Sequence, residues 1–182
     1  MLSGMATVMK LLLVLSFIVF GCHIKNPDTG NPAFTGKVIK IVDGDTYDIL
    51  LENNTTKRIR MDGIDAPERG MPFYKSAKDY LGTLCFGQTV HVQQTNIDRY
   101  ERTVAKTYRL KGEELGLMMI EAGYAWHFKK YNTDKSMAKA EINARISRAG
   151  LWIDELPVAP WDWRQRKKNG FGAGKKLQSV QN

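Results

Sequence analysis

Three short charged clusters, in residues 43–46, 60–68 and 98–102, contain the side chains of this sequence that could do chemistry. They supply three carboxylates and two guanidiniums, those of Asp45, Asp65, Glu68, Arg60 and Arg102. Hard divalent cations prefer oxygen ligands, and the planar fork of an arginine can hold two phosphate oxygens at once. If the clusters converge, they can hold such a cation beside a phosphodiester, clamp the phosphate and activate a water molecule.

Each cluster taken alone has an ordinary structural explanation. An Asp-Gly pair such as Asp43-Gly44 is common turn chemistry, so the first cluster by itself predicts only a turn. A single arginine is more often a surface residue or an ion-pair partner, although its charge persists at any working pH. The chemical interpretation therefore depends on a fold that brings three distant segments together.

The pattern of apolar residues predicts five strands and three helices. Runs of strand-forming residues predict strands at 38–42, at 46–51, at 57–61, from 89 onward and at 102–110. Apolar residues spaced three and four apart predict helices over 72–86, 115–122 and 135–149. The order β-β-β-α-β-β-α-α is typical of an α+β fold, here a five-stranded OB-like β-barrel with three helices. Short strands of this kind could instead form an open sheet.

Residues 1–22 resemble a bacterial lipoprotein signal peptide. Lys10 precedes an apolar run at 11–20, and the small residue Gly21 stands before Cys22, the candidate lipidation site. That run is about half of the roughly 20 residues that span a bilayer as a helix, which disfavours a permanent transmembrane anchor. We expect an exported protein, either attached to the outer face of a bacterial membrane through lipidated Cys22 or secreted.

The remainder of the chain divides into three parts by composition. Residues 23–33 are rich in Asn, Pro and Gly and are predicted to be a tether, and residues 34–163 are predicted to be the folded domain. Residues 164–182 contain six Lys and Arg residues and no acid, against a formal net charge of +8 for the whole chain. They are predicted to be a disordered basic tail that could raise the encounter rate with a polyanion. Cys85 lies in an apolar stretch and is predicted to be a buried, inert thiol.

In order and spacing, the charged clusters make residues 34–153 similar to the staphylococcal nuclease (thermonuclease) family. The matching segments are 42–46, 60–68, 98–102 and 149–152, and residues 161–164 resemble an ending common in bacterial members. The resemblance implies Ca²⁺ as cofactor, with carboxylate ligands from Asp45 and Asp65 and a backbone carbonyl ligand from Ala66. It places Asp43 beside these ligands and gives Glu68 the role of activating the attacking water.

The resemblance also implies how the substrate is held. Arg60 and Arg102 correspond to the pair that binds the scissile phosphate, and Arg99, Tyr100 and Tyr131 correspond to positions that contact the nucleotide. The implied partners are DNA and RNA, and the implied protein is a monomeric, calcium-dependent endonuclease with little sequence specificity that leaves 3′-phosphate ends.

Two departures from the family pattern bear on affinity. Glu101 stands where a glycine is often found, which adds a negative charge near the phosphate, and Lys129 stands where a nucleotide-stacking tyrosine is expected. The alternative function is a non-catalytic nucleic-acid-binding OB-type module on the cell surface. Such a module would be expected to lose part of the carboxylate and arginine set, all of which this sequence retains.

Overall fold

In the computed structural model, which describes residues 32–170, most of the strands close into a β-barrel. The strands of these residues are β1 (Ala33–Ile41), β2 (Thr46–Leu50), β3 (Thr56–Met61), β4 (Ile64–Asp65), β5 (Thr89–Ile97), β6 (Thr103–Arg109) and β7 (Trp126–His127). Around the barrel the neighbours run β1-β2-β3-β6-β5, and β5 pairs with β1 to close it. The β3–β6 pair is parallel and the other barrel pairs are antiparallel. The predicted α+β, OB-like barrel is confirmed, and the open-sheet alternative is wrong.

The barrel interior is filled by side chains that alternate along the strands. In β5, Val90 and Val92 are buried while the alternate residues Thr89 and His91 are exposed, as expected for a strand with one face on a core. The central strand β2 is buried along nearly its whole length. The Tyr47 hydroxyl lies inside the barrel and is 2.6 Å from the Thr107 hydroxyl, which satisfies two buried polar groups together.

Besides the strands, residues 32–170 form four α-helices and a 3₁₀ helix. They are α1 (Tyr74–Cys85), α2 (Leu115–Glu121), α3 (Lys135–Ile146), the 3₁₀ helix Gly150–Ile153 and α4 (Pro160–Lys168). The three predicted helices are present. The first begins at Tyr74 rather than at residue 72, because Phe73 at its N-cap has a left-handed backbone (φ 62°). The third ends at Ile146 and not at 149, and Arg148 beyond it is also left-handed.

Helix α4 was not predicted from the sequence. The structure places residues 164–168 in this helix, whereas the sequence analysis assigned them to the disordered tail. Pro160 at its first turn is a usual helix start, and packing of its aromatic residues, more than intrinsic propensity, explains the helix. Trp161 stacks on Phe128 with ring centroids 5.3 Å apart and meets Trp126 edge-on at 5.6 Å.

The short strands β4 and β7 form a separate two-stranded sheet. In it Ile64 pairs with His127 and Asp65 pairs with Trp126. This pairing fixes the segment that follows β3 against the aromatic cluster on which α4 packs. Within residues 32–170, no helix is both long and apolar enough to cross a bilayer. The predicted signal peptide with Cys22, nearly all of the tether and residues 171–182 lie outside the described residues.

Candidate active site

The turn between β1 and β2 positions Asp45. The Val42 amide donates to the Thr46 carbonyl at 2.9 Å, and the Asp45 amide donates to the Asp43 carboxylate at 3.1 Å. Gly44 is required there by a close approach, since a Cβ at this residue would lie 2.8 Å from the Cβ of Ala66. The turn therefore packs directly on the second charged cluster.

The Asp45 carboxylate is buried and bound on both oxygens. Its Oδ2 accepts from the Ala66 amide at 2.8 Å, and its Oδ1 accepts from the Thr46 hydroxyl at 3.0 Å. Asp65, which β4 positions, is only 1% exposed. The first two charged clusters are thus in direct contact, through Asp45 and Ala66, although about twenty residues separate these two positions.

Arg60 joins the two aspartates. One of its terminal nitrogens lies 3.1 Å from Asp45 Oδ2 and 3.1 Å from Asp65 Oδ1. The other donates to the backbone carbonyls of Met61 and Ile64, at 2.7 and 2.9 Å. The β2–β3 register contributes to this arrangement, because Thr46, next to Asp45, is paired with Arg60. A single guanidinium therefore bridges both candidate metal ligands.

Glu68 lies in the same cleft as Asp45. The cleft has a volume of about 270 Å³. It is lined by Val42, Asp43, Asp45, Ala66, Pro67, Glu68, Arg69, Tyr74 and Lys78. The half-exposed Glu68 side chain is open to water, in contrast to the buried aspartates. It can therefore meet a water molecule and a substrate entering from solvent.

A second arginine, Arg164, contacts these acidic residues, and the sequence analysis did not predict it. Arg164 of α4 donates to both oxygens of Asp65, at 3.1 and 2.7 Å, and to Glu68 Oε1 at 2.6 Å. The contact spans 99 residues of sequence. The available signal was the Trp161-Asp162-Trp163-Arg164 segment, whose tryptophans indicated that the chain returns to the body.

The carboxylates of the site lie close to one another and are partly desolvated, which shifts their pKa values. Burial and the charge of Asp45 raise the pKa of Asp43 to about 7. Burial also raises the pKa of Asp65, with a further contribution from Asp45, although Arg164 and Arg60 act in the opposite direction. Burial alone would lower the pKa of the Arg164 guanidinium, but its bonds to Asp65 and Glu68 raise it above the ordinary value. A bound cation would relieve this crowding of carboxylates.

The donor atoms here fit a hard cation. The candidate ligands Asp45, Asp65 and Ala66 offer only oxygens, and the two carboxylates are desolvated and held together by Arg60. Among residues 32–170 no group of three or more His, Cys, Asp and Glu side chains has the arrangement of a metal site. Two carboxylates and a carbonyl would leave the remaining coordination positions to water and substrate oxygens.

Arg102 does not join the acidic group in the described part of the chain. Its Nε donates to Asp98 Oδ2 at 2.7 Å, and its amide donates to the other oxygen of Asp98 at 3.0 Å. It lines a separate depression of about 520 Å³ together with Arg58 and Tyr100. Strand β6, which begins directly after Arg102, nevertheless runs beside β3, since Val104 pairs with Arg60.

The predicted nucleotide-contacting residues lie on two exposed surfaces. Arg99 donates to the Tyr100 hydroxyl at 2.8 Å and lies over its ring, in the same loop as Arg102. Tyr131 is exposed and packs edge-on against Phe128, beneath which Trp161 is stacked. The described contacts do not bring Tyr131 to the Tyr100 loop.

The two departures from the family pattern are also located. Glu101 has a left-handed backbone (φ 61°), a conformation that glycine adopts without strain. Lys129 forms an ion pair of 2.7 Å with the buried Glu141, so its side chain is directed to α3 rather than to the cleft.

Comparison with known proteins identifies relatives over most of the chain. A family model described as "Staphylococcal nuclease homologue" matches residues 58–154. A protein of Shigella flexneri named "Micrococcal nuclease" is 38% identical over 146 residues, which cover 75% of this chain and 83% of the relative. An "Uncharacterized endonuclease" of Escherichia coli is 37% identical over 132 residues, 72% of this chain and 86% of the relative. Another of Haemophilus influenzae is 37% identical over 134 residues, 74% of this chain and 75% of the relative.

Proposed function

Because the chain belongs to the staphylococcal nuclease family and is a nuclease, we propose that it is a calcium-dependent endonuclease that hydrolyses phosphodiester bonds of DNA and RNA. The observation that carries this proposal is the convergence of Asp45 and Asp65 on Arg60, beside the cleft that Asp45 and Glu68 line. The non-catalytic binding module is disfavoured, since relatives that match most of the chain are named nucleases and these acids are all retained.

The proposed metal ligands are Asp45, Asp65 and the Ala66 carbonyl. When bound there, a calcium ion would supply positive charge to the phosphoryl oxygens and polarise the phosphorus for attack. The protein's own contribution is to keep two carboxylates adjacent and desolvated, which Arg60 and the Ala66 amide do by binding them.

In the proposed reaction Glu68 accepts the proton of the attacking water. The water oxygen forms a bond to phosphorus and the bond from phosphorus to the 5′ oxygen breaks. The leaving oxygen takes a proton from solvent, and the products are a 3′-phosphate and a 5′-hydroxyl. Glu68 suits this role because it is partly exposed at the cleft and adjacent to the proposed ligands. Arg60 and Arg102 would stabilise the charge that develops on the phosphate, Arg102 after leaving Asp98.

This arrangement recognises the sugar-phosphate backbone. The proposed contacts of Arg60 and Arg102 go to phosphate oxygens, which are the same for every base, so little sequence specificity is expected. Arg99, Tyr100 and Tyr131 are proposed to contact the nucleotides by stacking and charge, which also tolerate different bases.

The test is cleavage of plasmid DNA and of RNA by the purified protein, with calcium and then with a chelator. We expect cleavage to need calcium and to leave 3′-phosphate ends. Glu68→Gln should lower the rate by about 10²–10⁴-fold while substrate binding persists. The matched control Glu52→Gln removes an exposed carboxylate in a turn away from the cleft and should leave the rate unchanged. Cleavage that ignores the chelator would refute the calcium requirement, and an unaffected Glu68→Gln would refute the role of Glu68.

We also propose that the protein is exported and acts as a monomer, with the residues before Cys22 removed and Cys22 lipidated at the outer face of a bacterial membrane. The apolar run and the Gly21-Cys22 pair in the sequence support export and lipidation, and the family resemblance supports a monomer. Mass spectrometry of the mature N-terminus distinguishes a diacylglyceryl-modified Cys22 from a cleaved, secreted form. An intact N-terminus at Met1 would refute both.

A further inference from the structure

We propose that Arg164 is an internal counter-ion that binds Asp65 and Glu68 when no cation is bound and competes with calcium for Asp65, so that this arginine lowers the calcium affinity. This inference rests on the calcium site proposed above. It concerns a residue outside the segment that the family model matches, which ends at residue 154.

The geometry places the Arg164 guanidinium on the oxygens that the proposed chemistry needs. Both oxygens of Asp65 accept a hydrogen bond from Arg164, and the same guanidinium binds Glu68 Oε1 at 2.6 Å. A cation approaching Asp65 must therefore share or displace this guanidinium. Glu68 keeps other lone-pair positions that can accept from water while Arg164 binds its Oε1, so the competition with calcium concerns Asp65.

Arg60 and Arg164 differ in how firmly they are held. The Arg60 side chain is only 14% exposed and donates to two backbone carbonyls as well as to the aspartates. The described hydrogen bonds of Arg164 go only to Asp65 and Glu68, and its side chain is 40% exposed. Arg164 can therefore leave toward solvent without exposing an unpaired backbone group, whereas Arg60 cannot.

The remainder of α4 fixes where Arg164 lies. Trp161 stacks on Phe128 and meets Trp126 edge-on, at the small sheet that also positions Asp65. The Trp163 ring lies beside Gly70, where a Cβ would be 3.7 Å from it. The helix is thus seated on both sides of the cleft segment, and its own position need not change for the Arg164 side chain to turn away.

The expected size of the competition follows from charge and exposure. Arg164 contributes a bidentate, charge-assisted pair to Asp65, the strong class of hydrogen bond. The exposure of Arg164 moderates that interaction, because water and salt screen it. Removing the positive charge should therefore tighten calcium binding by about tenfold at low ionic strength, a factor in keeping with one moderated charge-assisted bond.

The experiment is calorimetric titration of calcium into the purified, full-chain protein without substrate, comparing wild type with Arg164→Gln. The matched control is Arg166→Gln, which removes the same charge from the exposed face of α4 and touches no carboxylate of the site in the described contacts. We expect the calcium Kd of Arg164→Gln to fall about tenfold and that of Arg166→Gln to stay within about twofold of wild type. Equal or weaker calcium binding by Arg164→Gln would overturn the proposal.

Two further measurements separate the possible failures. If wild type and Arg164→Gln both fail to bind calcium, the calcium site itself is refuted; if both bind equally, only the role of Arg164 is refuted. Circular dichroism checks the fold of each variant. Should Arg164→Gln not fold, Arg164→Met also removes the charge while keeping an unbranched side chain, and a calcium Kd unchanged from wild type would overturn the proposal.

Discussion

Removing Arg60 tests whether one guanidinium holds the two proposed metal ligands together. In Arg60→Ala, Asp45 and Asp65 lose their shared partner and the Met61 and Ile64 carbonyls lose a donor. Breaking a buried ion pair on one side typically costs about 3–5 kcal/mol. We expect about 3 kcal/mol, the low end, because Arg164 still binds Asp65 in this variant.

The same strand contains a matched control. Arg58, two residues earlier in β3, binds both oxygens of Asp48, at 2.7 and 3.0 Å, but its side chain is 48% exposed. Arg58→Ala should therefore cost under about 1 kcal/mol.

The assay is urea unfolding of both variants in chelator, followed by the same measurement in calcium. Calcium should restore part of the stability of Arg60→Ala, because a cation can replace the missing positive charge between Asp45 and Asp65. A free energy of unfolding for Arg60→Ala within about 0.5 kcal/mol of wild type in chelator would refute the bridging role. So would equal losses for Arg58→Ala and Arg60→Ala.

Three other substitutions separate catalysis, packing and helix capping. Arg102→Ala should slow DNA cleavage by about 10²–10³-fold with little loss of thermal stability, because its Asp98 pair is partly exposed; normal turnover would exclude Arg102 from the phosphate site. Gly44→Ala should lower the free energy of unfolding by about 1–3 kcal/mol, because the new Cβ would lie 2.8 Å from Ala66; an unchanged urea midpoint would contradict this packing. Asp134 caps α3, and hydrogen bonds from Ser136 lower its pKa to about 2. Asp134→Ala should therefore cost about 1 kcal/mol near pH 7, and the difference from wild type should shrink as pH falls from about 4 toward 2; a pH-independent difference would refute the capping role.

Local sequence signals predicted the barrel strands, whereas the resemblance to the nuclease family indicated which acidic residues come together. Alternating apolar residues define strands such as β5, and turn chemistry at Gly44 places Asp45 at a strand end. Once the strands are ordered, the β2–β3 register brings Thr46 opposite Arg60, so Asp45 and Arg60 must lie close together. This part of the site follows from contacts between elements that are near one another in sequence.

Other features have no local signature. Strands β4 and β7 are two residues each, too short for any periodicity to predict, yet their pairing fixes Asp65. The left-handed backbone of Phe73 depends on tertiary packing, since aromatic residues seldom adopt it. The Arg164 contact with Asp65 spans 99 residues and is set by the aromatic surface on which α4 packs. Sequence alone therefore assigned this arginine to a basic tail.

The two halves of the proposed site differ in how far they are organised before substrate binds. Asp45 and Asp65 are buried, and the mostly buried Arg60 binds both, so these side chains are ordered before substrate binds. Arg102 lies in an exposed loop, held by Asp98 and next to Glu101 in its left-handed conformation. A phosphate that draws Arg102 from Asp98 must compensate for the lost ion pair with a stronger one. Since an exposed pair is weak and a desolvated arginine–phosphate pair is strong, this exchange favours closure of the loop on a substrate already seated at the acidic half.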